Sequence, residues 1–524
     1  MRNVLSLVLL LTGCETYGTA DAGLDAASDA GSLDAGSADA GRRDGGRPRI
    51  DAGPFVCPNP AWDPQGPPPT GMAPTIDELV VDRSVDGATL EVFDPAAVTQ
   101  SDTVFDMGVQ AGAMRTDRAR LWTHVAGGGA TTLRVWRAGD DPGQVRLAEE
   151  RVVTASGAGF VLADVTGLAP ATRYSYAFFT GTAPSFTGRS AIGRFTTALP
   201  AGEEARLRIA ATTCTNQSRR PFESLELAAA ADPDVFLQLG DMTYNDGATS
   251  LVDFRARWRE NLTDPGYRAI LSAAGSYYTW DDHEIVDSGE YYRAPPSVRA
   301  AGTDAFYEHV PVEPIDRGGQ RTFWSSYPWG DSIEVIVMDS RSERDPASRL
   351  GPSARYVSEE QLAFVQDRLL NSTARFKVVL NSVPITNLPN PPWALEDDRW
   401  QGYAAQRTRL IQHIVDNAIT GVWFVTGDFH LGFVTRVEVD GGGRDIWEVA
   451  VGPGDSGVNP LPALVTGGVL DEQETFPCEM FAYWSGSTHA ATTLDFDPVA
   501  GTVHVRFVDS ETSEVLFDET IWQE

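Results

Sequence analysis

Basic residues are scarce in this chain of 524 residues: 41 lysines and arginines face 73 aspartates and glutamates, a formal net charge of -32. That excess argues against nucleic acid as a partner and against a purely electrostatic hold on an anionic membrane. It also repels anionic substrates at long range, so a phosphate-bearing substrate would need a strong local cation. Past the opening residues no apolar run is long enough to span a bilayer, which excludes a threaded membrane protein built on helices. A G-x-S-x-G elbow and a P-loop fingerprint are both missing, so a serine hydrolase or an NTPase has little support. Cysteine is rare, four residues in all, and the four sort by location.

The start, MRNVLSLVLLLTGC, has a basic Arg2, an apolar run from Val4 to Leu11 and small residues before Cys14. This is the pattern of a secretory signal. Leu11-Thr12-Gly13-Cys14 resembles the bacterial lipoprotein box, which implies cleavage before Cys14 and a lipid on its thiol. The expected organisation is a signal over residues 1–13, then a disordered Ala/Asp/Gly linker over 14–54 that lifts the folded part off the membrane. An extended segment over 55–101 follows. Export would place the protein in the periplasm or on the outer surface of a bacterial cell, anchored by its lipid. Cys57 and Cys478 lie near the two ends of the folded part, and whether they join as a disulfide stays open. Cys214, in RLRIAATTCTNQ, is left without an obvious thiol partner; buried inertness and a chemical role are both compatible with that.

Length alone allows two to four domains. Over residues 102–199 the runs ARLWTHV, TTLRVWRA, GFVLADVTGL, YSYAFFT and SAIGRFTT alternate apolar and polar residues between turns, the pattern of a small all-β sandwich. Gly167 to Tyr174, GLAPATRY, resembles the fibronectin type III corner, and no catalytic residue is evident in this region. Over 203–524 the rhythm changes to an α/β domain. LRIAATTC, DVFLQLGD, SYYTW, IEVIVMD, FKVVLNS and VWFVTGD read as strands. PFESLELAAAADP, DFRARWRENL, YRAILSAA, SEEQLAFVQDRLL and YAAQRTRLIQHIV read as helices. The C-terminal part, ATTLDFDPVAGTVHVRFVD and EVLFDETIW, returns to antiparallel strands.

Four of these strands end in possible metal ligands: Cys214, then Asp241 and Tyr244, then Asp281, Asp282, His283 and Glu284, and last Asp428 and His430. In open α/β sheets the crevice at the carboxyl ends of strands is where ligands bind. Adjacent carboxylates such as Asp281 and Asp282 repel, and burying them unpaired is costly. The motifs show no counter-charge for this pool, and a multinuclear metal centre would supply it.

In order and spacing these motifs resemble the binuclear metallophosphoesterases: GD-x-x-Y at Gly240 to Tyr244, DDHE at Asp281 to Glu284, and GD-x-H at Gly427 to His430. The spellings, with Cys214 ahead of them, resemble the PhoD-type (alkaline phosphatase D) branch. Met338-Asp339-Ser340-Arg341-Ser342, Ser358 to Leu362 and Asp398 to Tyr403 resemble further segments of that branch. Phe105 to Val109 and Ala119 to Thr123 resemble its N-terminal β domain. The fold implied is an α/β metallophosphoesterase sandwich preceded by a small all-β, fibronectin type III-like domain.

Carried over by position, the resemblance implies that Cys214, Asp241, Tyr244 and His430 bind Fe(3+). Asp241 would bridge to a second site with Asp282 and Asp428 that takes Ca(2+) or another divalent ion. Thiolate and phenolate suit a trivalent iron, and carboxylates alone suit a hard cation. His283 would stand beside the leaving oxygen, and Arg341 would hold a phosphate oxygen; an arginine paired to a carboxylate is the plain alternative for the latter. Asp287 and Ser288 stand where the family usually has two asparagines, which bears on the identity of the second metal. The implied activity is a phosphomonoesterase or phosphodiesterase in which a metal-bound hydroxide attacks phosphorus. Phospholipase D-type cleavage of lipid headgroups, or a non-catalytic surface binding lipoprotein, are the alternatives. A monomer acting on a small phosphate ester, with no nucleic acid partner, is expected.

Overall fold

Strands buried on both faces carry continuous apolar runs, and here such runs pair in parallel. The computed structural model describes residues 71–286, 291–387, 399–439, 441–485 and 488–522. Ile333–Val337, Phe376–Asn381, Val422–Thr426 and Trp447–Ala450 lie side by side in parallel. Leu207–Thr215, Val235–Leu239 and Gly275–Thr279 do the same in a second sheet. Every strand and helix of the α/β part read from the sequence is present among the described residues.

The two sheets pack face to face, and side-chain alternation shows how. Val335, Val337, Val378, Leu380, Trp423 and Val425 enter the central core with Leu207, Ile209 and Leu237. Their neighbours Ile336, Val379 and Phe424 point the other way, into a core with Leu362, Val365, Leu369, Leu410 and Ile414. Those last five lie on the helices Glu359–Asn371 and Ala404–Asp416, which therefore cover the outer face. Period-2 alternation in each strand thus builds a layered sandwich.

The all-β region does not stand apart. Thr89–Val92, Ala130–Ala138, Gln144–Thr154, Arg173–Thr182, Ser185–Arg189 and Gly193–Thr196 form one sheet. Val109–Gly112, Arg118–His124 and Phe160–Thr166 instead continue the second α/β sheet, through a parallel bridge from Gly112 to Ser276. At that bridge Gly112 lets the chain pass against Pro311: a Cβ there would sit 2.5 Å from the Pro311 carbonyl oxygen. Near the Gly167–Tyr174 corner, the Tyr174 hydroxyl accepts from the Ala169 amide (2.8 Å) and donates to Asp86 (2.9 Å).

Where these strands meet the helices, buried His309 ends the helix Pro296–His309. It stacks on Trp258 (5.3 Å) and meets Phe160 edge-on (4.6 Å). Its Nδ1 donates to the Ala305 carbonyl (2.7 Å), and its Nε2 meets no hydrogen-bond partner among the described residues. Burial holds the imidazole neutral, with its pKa pushed down to about 3 from 6.5. The unfolded chain therefore binds a proton between those values that the folded chain refuses. This contribution to stability is complete above pH 6.5 and is lost as pH falls toward 3. Thermal unfolding of His309→Phe beside the parent should show the variant gaining on the parent steadily below pH 6.5; parallel profiles would contradict the assignment.

Candidate metal centre

Parallel pairing brings the carboxyl ends of the central strands to one edge in each sheet, and the motif residues lie at those ends or in the turns just past them. Tight turns are required there. Gly240 takes φ 92°, and a Cβ on it would lie 2.5 Å from Asp281 Cβ. A Cβ on Gly427 would lie 2.3 Å from Thr213 Oγ1. Four of the candidate residues, Cys214, Asp241, Asp428 and His430, take left-handed backbone at φ 52–59°. Each such residue costs about 1–2 kcal/mol, and strain of this kind collects at functional sites.

The eight residues to which the resemblance gives a role, Cys214, Asp241, Tyr244, Asp282, His283, Arg341, Asp428 and His430, meet in one place. Ligand atoms of Cys214, Asp241 and His430 lie within 4.8 Å of one another, as do those of Asp241, Asp282 and His283, and those of Asp281, Asp282 and Asp428. The Tyr244 hydroxyl lies 3.3 Å from His430 Nε2, and its ring packs 3.9 Å from the His283 ring. Cys214 Sγ lies 3.4 Å from Asp241 Oδ2. Asp241 belongs to two of the three groups, the placement a bridging ligand needs. Asp287, Ser288 and Asp398 lie outside the described residues.

The electrostatics of the first group favour a bound cation. Burial pushes the Cys214 thiol and the Tyr244 phenol well above their ordinary ranges, and the neighbouring Asp241 adds to both. Burial likewise raises the Asp241 carboxyl, and Asp282, Glu284 and Asp428 reinforce the shift, against an opposing pull from His283. Left to themselves these groups keep their protons; a metal ion would release them. Desolvation pushes His430 down to about 4, leaving a neutral imidazole of the kind metals take. Thiol, carboxylate, phenol and imidazole on one buried spot fit a transition-metal ion.

The carboxylates of the third group are compensated by protein, contrary to the expectation that the pool has no counter-charge. Arg341, its side chain 1% exposed, binds Asp281 through Nε and through Nη2 (2.9 Å), reaches Asp428 through Nη2 (2.7 Å), and lies 3.7 Å from Asp282. Arg399 pairs with the other oxygen of Asp428 and lies over the Phe429 ring. Burial works against ionisation of Asp428, but Arg399 and Arg341 outweigh it and hold the carboxyl below its usual range. Arg341 is thus a carboxylate partner, the plain alternative named above. The reason is topological: it follows the strand Ile333–Val337, in the sheet that faces Asp281.

Glu284 has another task. Its carboxylate accepts from the amides of Asp241 (2.9 Å), Met242 (2.6 Å) and Asp281 (2.8 Å), clamping two strand ends together. Sequence reading missed Asp246, whose Oδ1 lies 2.7 Å from His283 Nδ1. The available signal was its position two residues past Tyr244, in the turn that the Asn245 amide ties to the His283 carbonyl (3.0 Å). Cys214 is free and buried, and Cys478 is disulfide-bonded.

Two facing sheets thus carry a metal-competent cluster at their carboxyl edges. Residues 209–466 match the PhoD-like phosphatase family, and residues 92–199 match the PhoD-like phosphatase N-terminal domain. The chain belongs to the PhoD-like phosphatase family, and it is a hydrolase of that class. It is 25% identical over 399 residues to alkaline phosphatase D of Bacillus subtilis (strain 168), covering 66% of this chain and 67% of that protein. Its fold is similar to the solved structure of PhoD, with a TM-score of 0.67 and 19% identity over 79% of this chain and 88% of that one. It is also similar to a purple acid phosphatase from yellow lupin (Lupinus luteus) seeds, with a TM-score of 0.56 and 13% identity over 79% and 74% of the two chains.

Proposed function

We propose that the chain is an exported, lipid-anchored phosphoesterase that hydrolyses small phosphate monoesters, diesters or both with two metal ions. The observation that carries the reading is the convergence of Cys214, Asp241, Tyr244 and His430. In this reading those four hold a ferric ion, and Asp241, Asp282 and Asp428 hold calcium or another divalent ion. Such ions would neutralise phosphate charge and make water a better nucleophile. Export and anchoring at Cys14 rest on the pattern from Arg2 to Cys14.

The remaining residues have roles that follow from their contacts. Asp246 accepts from His283 Nδ1, which fixes the ring and leaves Nε2 as the atom that shares a proton with the leaving oxygen. Arg341 holds Asp281 and Asp428 in place and keeps Asp428 ionised. Arg399, its side chain 18% exposed against 1% for Arg341, is the guanidinium better placed to meet a phosphate oxygen.

Hydrolysis of an aryl phosphodiester and an aryl phosphomonoester, with added calcium and with EDTA, tests the reading. Turnover supported by calcium and abolished by EDTA is expected, and the ratio of the two rates sets the substrate class. Well-folded, metal-loaded protein that turns over neither ester would contradict it. Asp246→Asn should lower kcat by about tenfold to a hundredfold, part of the 10²–10⁴ that a general acid contributes. The loss should be largest for esters with poor leaving groups. A uniform loss across leaving groups would place Asp246 outside the proton path.

A further inference from the structure

We infer that Ser456 is a positioning residue of the centre: its hydroxyl donates a hydrogen bond to the Tyr244 oxygen when that oxygen binds a cation. The inference rests on the metal-centre reading given above. Ser456 is 2% exposed and follows the short strand Pro453–Asp455, which runs parallel to the strand bearing Cys214, with Thr213 opposite Pro453 and Thr215 opposite Asp455. Its Oγ lies 2.8 Å from the Tyr244 hydroxyl, nearer than the 3.3 Å from that oxygen to His430 Nε2.

The serine is itself held. Its carbonyl accepts from His489 Nε2 (2.7 Å), and the preceding Asp455 accepts from the Ser224 hydroxyl (2.8 Å). Three residues on, the Asn459 amide donates to the His430 carbonyl (2.9 Å) and its Nδ2 to the Phe429 carbonyl (2.8 Å). One segment, Ser456 to Asn459, therefore grips both the phenol oxygen and the backbone of the Asp428–His430 turn. Donors that arise from separate strands are fixed relative to each other through it.

In the uncomplexed pair either hydroxyl can supply the proton. A phenol that binds a metal gives its proton up, and then only Ser456 can donate. Outer-shell hydrogen bonds of this kind orient a ligand and tune its donor strength. A donated hydrogen bond draws electron density from the phenolate and lowers the energy of its donor orbital. Removing it raises that orbital, so the phenolate-to-iron charge-transfer band moves to longer wavelength.

The test is the visible spectrum of the full chain loaded with ferric iron, for the parent, Ser456→Ala and Ser456→Thr, beside thermal unfolding of each. The alanine variant should show the band shifted to longer wavelength, and threonine, which keeps the hydroxyl, should restore the parent position. A purely structural role would change the unfolding temperature and leave the band in place. A coloured parent whose band is unmoved in Ser456→Ala overturns this inference alone. A parent that forms no coloured complex overturns the iron–tyrosine reading, and this inference with it.

Discussion

Asp241→Asn should abolish most phosphoesterase turnover, by a factor of about 10³ or more, while the fold survives. Metal ions contribute several kcal/mol of charge stabilisation in the transition state, and each 1.36 kcal/mol is about tenfold in rate. Asp241 belongs to two ligand groups, so its loss affects both. Asparagine is the informative substitution. It keeps the size and the oxygen that accepts from the His283 amide (3.3 Å), and it tolerates the left-handed backbone at φ 52° better than alanine does. The turn itself is anchored from elsewhere, by Glu284 on the Asp241 and Met242 amides. Burial and like-charged neighbours raise the Asp241 carboxyl well above its ordinary range, so at neutral pH the metal-free fold must take up a proton that the unfolded chain lacks, which weakens it. Metal-free Asp241→Asn should therefore melt no lower than the metal-free parent. Kinetics with metal and calorimetry without it check the two halves; a variant that keeps full activity would remove Asp241 from the centre.

The second large effect concerns Arg341. Replacing it with alanine leaves Asp281 buried without its bidentate partner and takes from Asp428 one of the two arginines that hold it ionised. Breaking one side of a buried ion pair typically costs about 3–5 kcal/mol, so a clear fall in unfolding temperature is expected. Lysine should rescue only part of this, because it cannot reproduce the fork of Nε and Nη2 on one carboxylate. The double variant Arg341→Met with Asp281→Asn removes the uncompensated charge and should recover much of the loss. Thermal unfolding of the three variants checks this. An unchanged melting temperature in Arg341→Ala would mean that another cation already balances the carboxylates.

How far the sequence reached depended on how local the causes were. Apolar runs such as IEVIVMD and FKVVLNS carry their own strand signal, and a ligand placed just after each run needs only the parallel pairing to reach the site. Arg341 was visible as a residue but not in its task, since its partner Asp281 is fixed by the stacking of two sheets. Glu284 stands among the candidate ligands in the DDHE block, yet the turn aims its carboxylate at three amides. Ser456 and Asn459 carry no motif at all. Their meaning comes from Tyr244, 212 positions away from Ser456, and from the Asp428–His430 turn. The union of the N-terminal strands with the α/β sheet was equally hidden, because alternation shows which face is buried and not which strand lies next door.

Hydrolysis is expected to depend on a metal ion held by Cys214, Asp241, Tyr244 and His430. Elemental analysis of the chain purified without chelator, paired with aryl phosphate turnover before and after chelation, tests it most directly. Stoichiometric iron with a second divalent ion, colour in the visible range, and turnover that falls as metal is withdrawn are expected. A colourless chain that holds no metal and hydrolyses the ester at the full rate would contradict it.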